Sequence, residues 1–189
     1  MKRLFAIVFA LLTSCSAPSN EAPPAPQQPA QAQQQPQAPQ PAALSQRCTN
    51  ARDGFTVSYP AGWHTNGPEV IAACSAFDPE PVQIPPQSEI PFGLAIVISV
   101  QEVPFDRPAD PQFERTLSSE RLTVAGRPAV RAELESTGEG LADRGMRTLR
   151  YTIDLGAGRS LVASTNKTDA AYDANKEILA RMVETIAMQ

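Results

Sequence analysis

Leu149, Tyr151, Ile153 and Leu155 alternate with Thr148, Arg150, Thr152 and Asp154. A period of two kept over that length is a β-strand with one apolar and one polar face. Gly156-Ala157-Gly158 then turns the chain into a second apolar segment, residues 159–165. Upstream, residues 118–124 and 128–136 flank Ala125-Gly126-Arg127, a hairpin signal. In its second arm Val130, Ala132 and Leu134 alternate with Arg131, Glu133 and Glu135. The pattern predicts antiparallel strands whose charged face is a solvated surface laced by cross-strand pairs. Residues 169–187 close the chain as a helix. Ala171, Asn175, Ile178, Leu179, Met182, Val183 and Ile186 fall on one stripe, and Asp169 and Asp173 suit the positive end of its dipole. The expected class is α+β, an antiparallel sheet packed by a C-terminal helix.

Earlier segments extend the sheet. Residues 55–59 alternate as a strand, Pro60-Ala61-Gly62 turns, and residues 63–66 form a short second strand. Residues 71–77 read as a third strand carrying Cys74. Residues 92–103 are the longest apolar candidate, rich in Ile96, Val97, Ile98 and Val100, and fit a central strand covered on both faces. A helical turn is expected over 111–117 and a mobile loop over 138–145.

This head begins at about residue 46. Between Ser16 and Leu44 the chain is Pro, Gln and Ala, with Glu21 its only charge and Leu44 its only large aliphatic residue. Such a segment buries too little apolar surface to offset its chain entropy, so residues 15–45 are expected to be a disordered tether. Leaving out Lys2, Arg3 and Glu21, 14 basic and 19 acidic residues remain, a net charge of -5. With no basic stripe, nucleic acid is not an expected partner.

Residues 1–14 read as a leader. Lys2 and Arg3 precede an apolar run from Leu4 to Leu12, too short to span a bilayer, which needs about 20 apolar residues. Leu12-Thr13-Ser14-Cys15 resembles the lipobox of bacterial lipoproteins. The resemblance implies that Cys15 is lipidated, becomes the new N-terminus and anchors the chain to a membrane, since multiple acyl chains hold stably. Ser16, not aspartate, follows, which in Gram-negative sorting favours the outer membrane. An ordinary cleaved signal and a short uncleaved anchor are the alternatives. With Cys15 lipidated, Cys48 and Cys74 remain as a pair in an oxidising compartment and are expected to form a disulfide. The bridge would stabilise the head by roughly 3 kcal/mol.

Phe55-x-Val57-x-Tyr59-Pro60-x-Gly62-Trp63, Val124-x-Gly126-x-Pro128-Ala129 and the closing Tyr172, Ile178, Met182, Val183 and Ile186 resemble the PsbP-like domain family. The resemblance covers most of residues 46–189 and implies an α/β/α sandwich. Its motifs are structural, and its members are mostly binding or assembly factors. Fold does not carry function with it.

No catalytic constellation appears. His64 is the only histidine, Ser58 and Ser75 lie in no GxSxG elbow, and Glu133 with Glu135 fits a solvated strand face. Gly138-Glu139-Gly140 lacks the Lys-Ser/Thr of a phosphate loop. Asp78, Glu80 and Glu89 match no EF-hand spacing, and Asn166-Lys167-Thr168 is a glycosylation sequon by pattern only. No catalytic residue, metal or cofactor is expected. One feature exceeds a plain domain: residues 78–91, broken by Pro79, Pro81, Pro85, Pro86 and Pro91, carry Val82, Ile84 and Ile90. They form either a cover strapped over the core or an edge that docks a protein partner. The expected function is a non-enzymatic, membrane-anchored binding or assembly accessory of the cell envelope. The alternative is a small-ligand or ion carrier with a pocket between sheet and helix.

Overall fold

The structure, a computed structural model, describes residues 43–87, 93–166 and 171–189. Cys15, the leader, most of the expected tether, Glu89, Ile90, Lys167, Thr168 and Asp169 lie outside them. Ten strands and one helix follow in the order β1 (Leu44–Asn50), β2 (Phe55–Pro60), β3 (His64–Thr65), β4 (Ala76–Asp78), β5 (Ile96–Gln101), β6 (Glu114–Val124), β7 (Arg127–Ser136), β8 (Arg147–Gly156), β9 (Arg159–Thr165), α1 (Tyr172–Glu184) and β10 (Ala187–Met188). Seven strands make one sheet in the order β3-β4-β5-β9-β8-β7-β6, and β1-β2-β10 make a second. Every described pairing is antiparallel. The α+β class and the C-terminal helix on the sheet are as the sequence pattern predicts, but α1 is the one helix among the described residues, so the second helical layer of the expected α/β/α sandwich is not found there.

Helix α1 packs against β9, β8 and β2. Its Leu179, Met182 and Val183 join Phe55 and Val57 of β2 and Ile98, Leu149, Ile153 and Leu161 of the large sheet in one core. Thr185 ends the helix by donating its hydroxyl to Met182 O at 2.7 Å while accepting from Ser58 N at 2.8 Å. The helix therefore stops three residues before the expected 187. The freed Ala187 and Met188 pair with Thr56 and Phe55 as β10.

Both tight hairpins are two-residue loops with left-handed residues at both positions. Ala125 and Gly126 have φ of 49° and 75°, and Ala157 and Gly158 have 54° and 73°. That is the turn whose twist matches the flanking strands.

Several expectations are corrected. Leu44 and Ser45 belong to β1, so ordered structure starts before residue 46. The strand expected over 71–77 shrinks to Ala76–Asp78, because Cys74 sits at φ 61°, which a strand cannot contain. Buried Asn66 holds the preceding segment instead. Its Oδ1 accepts from Ser75 N and Ala76 N at 3.0 and 2.9 Å, and its Nδ2 donates to Gly67 O and Ala72 O at 2.8 Å. This loop delivers Cys74 to Cys48; the two form a disulfide with Cα atoms 5.8 Å apart. The helical turn is a single turn at Asp110, where Phe113 N and Glu114 N both donate to its carbonyl, and β6 then starts at Glu114 instead of residue 118. β5 is internal as expected, but only its Ile96 and Ile98 face is buried.

The largest correction concerns β7. Its register sets Glu133 opposite Leu149 and Arg131 opposite Tyr151, so its charged residues share the helix-facing side with the core of β8. Val130, Ala132 and Leu134 point to the other face. There they form a second small core with Phe105 and Ala109. The cross-strand pairs are present: Arg115 to Glu135 at 2.6 Å and Arg131 to Glu120 at 4.0 Å. The face, however, is not simply solvent. Glu133 reaches α1, accepting from Tyr172 Oη at 2.8 Å, from Lys176 Nζ at 3.0 Å and from Arg147. Burial pushes the Glu133 carboxyl up, but the bonds from Tyr172 and Lys176 and the charges of Lys176 and Arg147 outweigh it and hold the group below its ordinary value. Burial and that carboxylate push Tyr172 far up.

Candidate functional site

With α1 on one side of the large sheet, the opposite side of β7, β8 and β9 needs another cover. Among the described residues two loops supply it. One is the 102–113 segment with Pro104, Pro108 and Pro111; the other is residues 137–146. The first is pinned at both ends. Ser160 Oγ of β9 donates to Val103 O at 2.7 Å, and Arg150 Nη1 of β8 donates to Pro108 O at 2.7 Å. The second is wound around Ser136, whose hydroxyl donates to Ala142 O at 2.9 Å and accepts from Gly138 N at 3.1 Å. It is tied to the first loop by Thr137 N to Phe113 O at 2.9 Å and Thr137 Oγ1 to Gln112 O at 2.9 Å. The expected mobile loop is thus internally bonded. Gly140 lies so close that a Cβ there would meet the Phe113 ring at 3.2 Å.

The cover leaves two cavities side by side, with Asp110 and Glu114 lining both. The first, about 390 Å³, is mostly apolar: Phe113, Leu134, Leu141, Ala142 and Met146 line it. Leu141 is 86% exposed and Phe113 38%, so its lip is apolar and open. The second, about 460 Å³, lies under the proline-rich segment and is lined by Arg107, Arg150, Thr152 and Val162 among others. Glu114 and Arg150 stand between them as a two-pronged pair, Nη1 to Oε2 at 2.7 Å and Nη2 to Oε1 at 2.6 Å. Both side chains are about four-fifths buried, at 24% and 20% exposure. Parallel charge-assisted bonds fix both groups in one orientation. A third groove, about 280 Å³, opens between sheet and helix at Leu122, Val124, Tyr151, Ala180 and Val183.

The residues singled out in the sequence lie elsewhere. Cys48 and Cys74 meet in the disulfide and pin β1 to the loop before β4. Val82 and Ile84 are half-buried in the irregular 79–87 segment, and neither lines any of the three cavities. That segment is clamped by buried Asp78, whose carboxylate accepts from Glu80 N at 3.0 Å and Ala95 N at 2.7 Å. His64 is exposed on β3 and also lines none of the three. Sequence reasoning missed Glu114, Arg150 and Thr152. Their signal was available only in part: Arg150 and Thr152 sit on the polar side of an alternating strand, and Glu114 falls where a helical turn was expected.

No family model and no curated protein matches the chain. No helix of the described residues is long and apolar enough to cross a membrane. Among solved structures the chain is similar to the solution structure of cyanobacterial PsbP (CyanoP) from Synechocystis sp. PCC 6803. The identity is 13%, covering 76% of this chain and 92% of that one, with a TM-score of 0.45.

Proposed function

We propose that this chain is an exported accessory lipoprotein, anchored through Cys15, that works by binding and not by catalysis. It carries a PsbP-like α+β head on a Pro/Gln-rich tether and docks an envelope protein partner. The supporting observation is the open apolar cavity on the helix-free face, with Leu141 86% exposed at its lip beside Phe113. A large aliphatic side chain held in water next to an unfilled apolar cavity marks an interaction surface. The carrier alternative, with its ligand between sheet and helix, draws less support. That groove is about 280 Å³, below the roughly 300–1,000 Å³ of ordinary ligand sites.

The test uses the full-length chain in its own membrane. A photo-crosslinking residue at position 141 should trap a discrete protein adduct, and one at exposed position 64 should not. Adducts from 64 alone, or none from 141, would remove the docking surface. The anchor is tested separately: Cys15→Ala should leave the head folded and move it to the soluble fraction. If it stays with the membrane, the apolar run from Leu4 to Leu12 is an uncleaved anchor.

A further inference from the structure

The seven-stranded sheet ends on β3 at one side and on β6 at the other. β3 has 2 residues and β6 has 11. Among the described residues β6 has no strand on its outer side. Residues 115–121 are exposed without a break. An edge strand turns alternate N–H and C=O groups outward, a ready ladder for another strand, and folded proteins ordinarily blunt it by shortening, with proline, with lysine or with a bulge. β3 is blunted by its length. β6 is long and holds neither proline nor lysine, and its charges are Glu114, Arg115, Glu120 and Arg121.

Those charges complement themselves in reverse. Laid antiparallel on a second copy, Glu114 meets Arg121, Arg115 meets Glu120 and Thr116 meets Ser119, each contact occurring twice across a two-fold axis. In a regular strand that register is forbidden. Opposite residues must share a face, and Glu114 and Arg121, an odd number of positions apart, would lie on different faces. β6 is not regular. Thr116 lies opposite Leu134 and Ser118 opposite Glu133, so Leu117 is the extra residue of a bulge. A bulge commonly blunts an edge; this one resets the alternation. Glu114, Thr116, Ser119 and Arg121 lie opposite Ser136, Leu134, Ala132 and Val130, on the helix-free side. Arg115, Ser118 and Glu120 lie opposite Glu135, Glu133 and Arg131, on the helix side. With the axis at Ser118, every pair named above shares a face.

We propose that β6 is a homodimer interface: it pairs antiparallel with β6 of a second copy about a two-fold axis at Ser118 and joins the two large sheets into one. Glu114 is already held by Arg150, so Arg115 and Glu120 decide the register. Both are 67% exposed. In the dimer a row of alternating sign crosses four strands: Glu135, Arg115, Glu120 of the second copy and Arg131 of the second copy. The two ends of that row exist within each chain, Arg115 with Glu135 at 2.6 Å and Arg131 with Glu120 at 4.0 Å. Leu117, 39% exposed, comes beside the axis, next to Leu117 of the second copy. Opposite charges in a self-matching order select a second copy over a strand of unrelated sequence. The proposal does not rest on the docking surface at Leu141, and a monomeric chain would leave that reading standing.

The experiment is oxidative crosslinking of cysteine variants of the full-length chain in intact cells, read on non-reducing gels. Residues directly opposite in an antiparallel pair have Cα atoms about 4.5–5.5 Å apart, within disulfide range. Ser118→Cys should therefore form a reducible dimer of twice the chain mass. Ser119→Cys, also exposed but two positions out of line with its own copy, should do so about tenfold more slowly. Coexpressed Thr116→Cys and Ser119→Cys chains should crosslink to each other faster than either does to itself. In the Ser118→Cys chain, Arg115→Glu should slow dimer formation about tenfold, because it sets like charges opposite each other on both sides of the axis. Adding Glu120→Arg should restore the rate. Within one chain the double change only worsens the pairs with Glu135 and Arg131, so recovery reads the contact between copies. The proposal is overturned by equal rates at 118 and 119, by no dimer from Ser118→Cys, by no recovery with Glu120→Arg, or by Ser118→Cys joining a protein of another mass instead. Serine-to-cysteine changes at exposed positions keep the fold, so the first comparison does not depend on a variant that misfolds.

Discussion

Replacing Glu133 with Gln tests whether the charged side of β7 belongs to the interior, as the register requires. Three donors converge on Glu133 Oε1: Tyr172 Oη, Lys176 Nζ and Arg147 Nη2. The Glu133 side chain is 13% exposed, that of Lys176 28% and that of Arg147 47%. A hydrogen bond to a charged acceptor is worth about 1.5–3 kcal/mol and a neutral one about 0.5–1.5, so losing the charge at the buried Tyr172 bond costs about 1 kcal/mol. The two ion pairs have partly exposed cations and add roughly 0.2–1 kcal/mol each. The total near neutral pH is about 2 kcal/mol, or roughly 4–8 °C in thermal midpoint for a head of this size. The pH dependence has a definite sign. The folded value of Glu133 is held below its ordinary 4.5, so the contribution is full above that value. It is lost as pH falls through the folded value, because the native state then binds the proton that the unfolded state already carries. Thermal unfolding followed by circular dichroism, from neutral pH down into the acid range, should show wild type and Glu133→Gln far apart at neutral pH. The two should converge well below pH 4.5. Glu135→Gln is the control, because its partner Arg115 is 67% exposed and its loss should cost under about 0.5 kcal/mol. A gap that does not narrow in acid, or a Glu133 cost no larger than that of Glu135, would refute the inward placement.

Reducing the Cys48–Cys74 bridge, or changing both cysteines to serine, should lower stability by about 3–4 kcal/mol in urea titrations, from the loop closure it removes. A midpoint unmoved by reductant would show that the bridge does not form in solution. Ala125→Asn should raise stability by about 0.5 kcal/mol, since φ is 49° there and asparagine tolerates the left-handed region better than alanine; a loss would mean the turn is not of this type. Val82→Ser with Ile84→Ser should destabilise the head by about 1–2 kcal/mol if the 79–87 segment is a cover over the core, as their half-buried state indicates. Unchanged stability with loss of a co-purifying partner would instead make that segment the docking edge.

Period-two alternation was enough to place β7 and β8, the glycine turn and apolar run that follow were enough to place β9, and helical spacing was enough to place α1, because burial is written directly into residue order. What alternation lacks is a label for the face. Val130, Ala132 and Leu134 look the same in sequence whether they point toward α1 or away from it, and only the pairing of Glu133 with Leu149 decides. The same blindness hid the candidate site, whose members come from β6, β8 and the 102–113 segment and meet only once the register is set. The loop before β4 was misread for another reason. Ile71 to Phe77 has strand composition, but buried Asn66 supplies four hydrogen bonds that replace a ladder, and a side chain reaching across nine or ten residues leaves no local signature.

The inverted face explains why this head has cavities where it does. A strand that turns its charged residues toward the helix must turn its apolar ones outward, and a second core then forms on the far side of the sheet. That core is small, Val130, Ala132 and Leu134 with Phe105 and Ala109, because only loops remain to cover it. Loops rich in proline and glycine cannot fill a sheet face as a helix does; they cross it at fixed points and leave gaps between. Glu114 and Arg150 mark one such point, holding the proline-rich segment off the sheet while bonding to it. Removing one partner from a buried pair of this kind costs about 3–5 kcal/mol, while well-packed apolar replacements for both are often neutral or stabilising. A charged post between two cavities is therefore poorly accounted for by stability alone. It fixes the spacing of the proline-rich segment and β6 from Arg150 of β8.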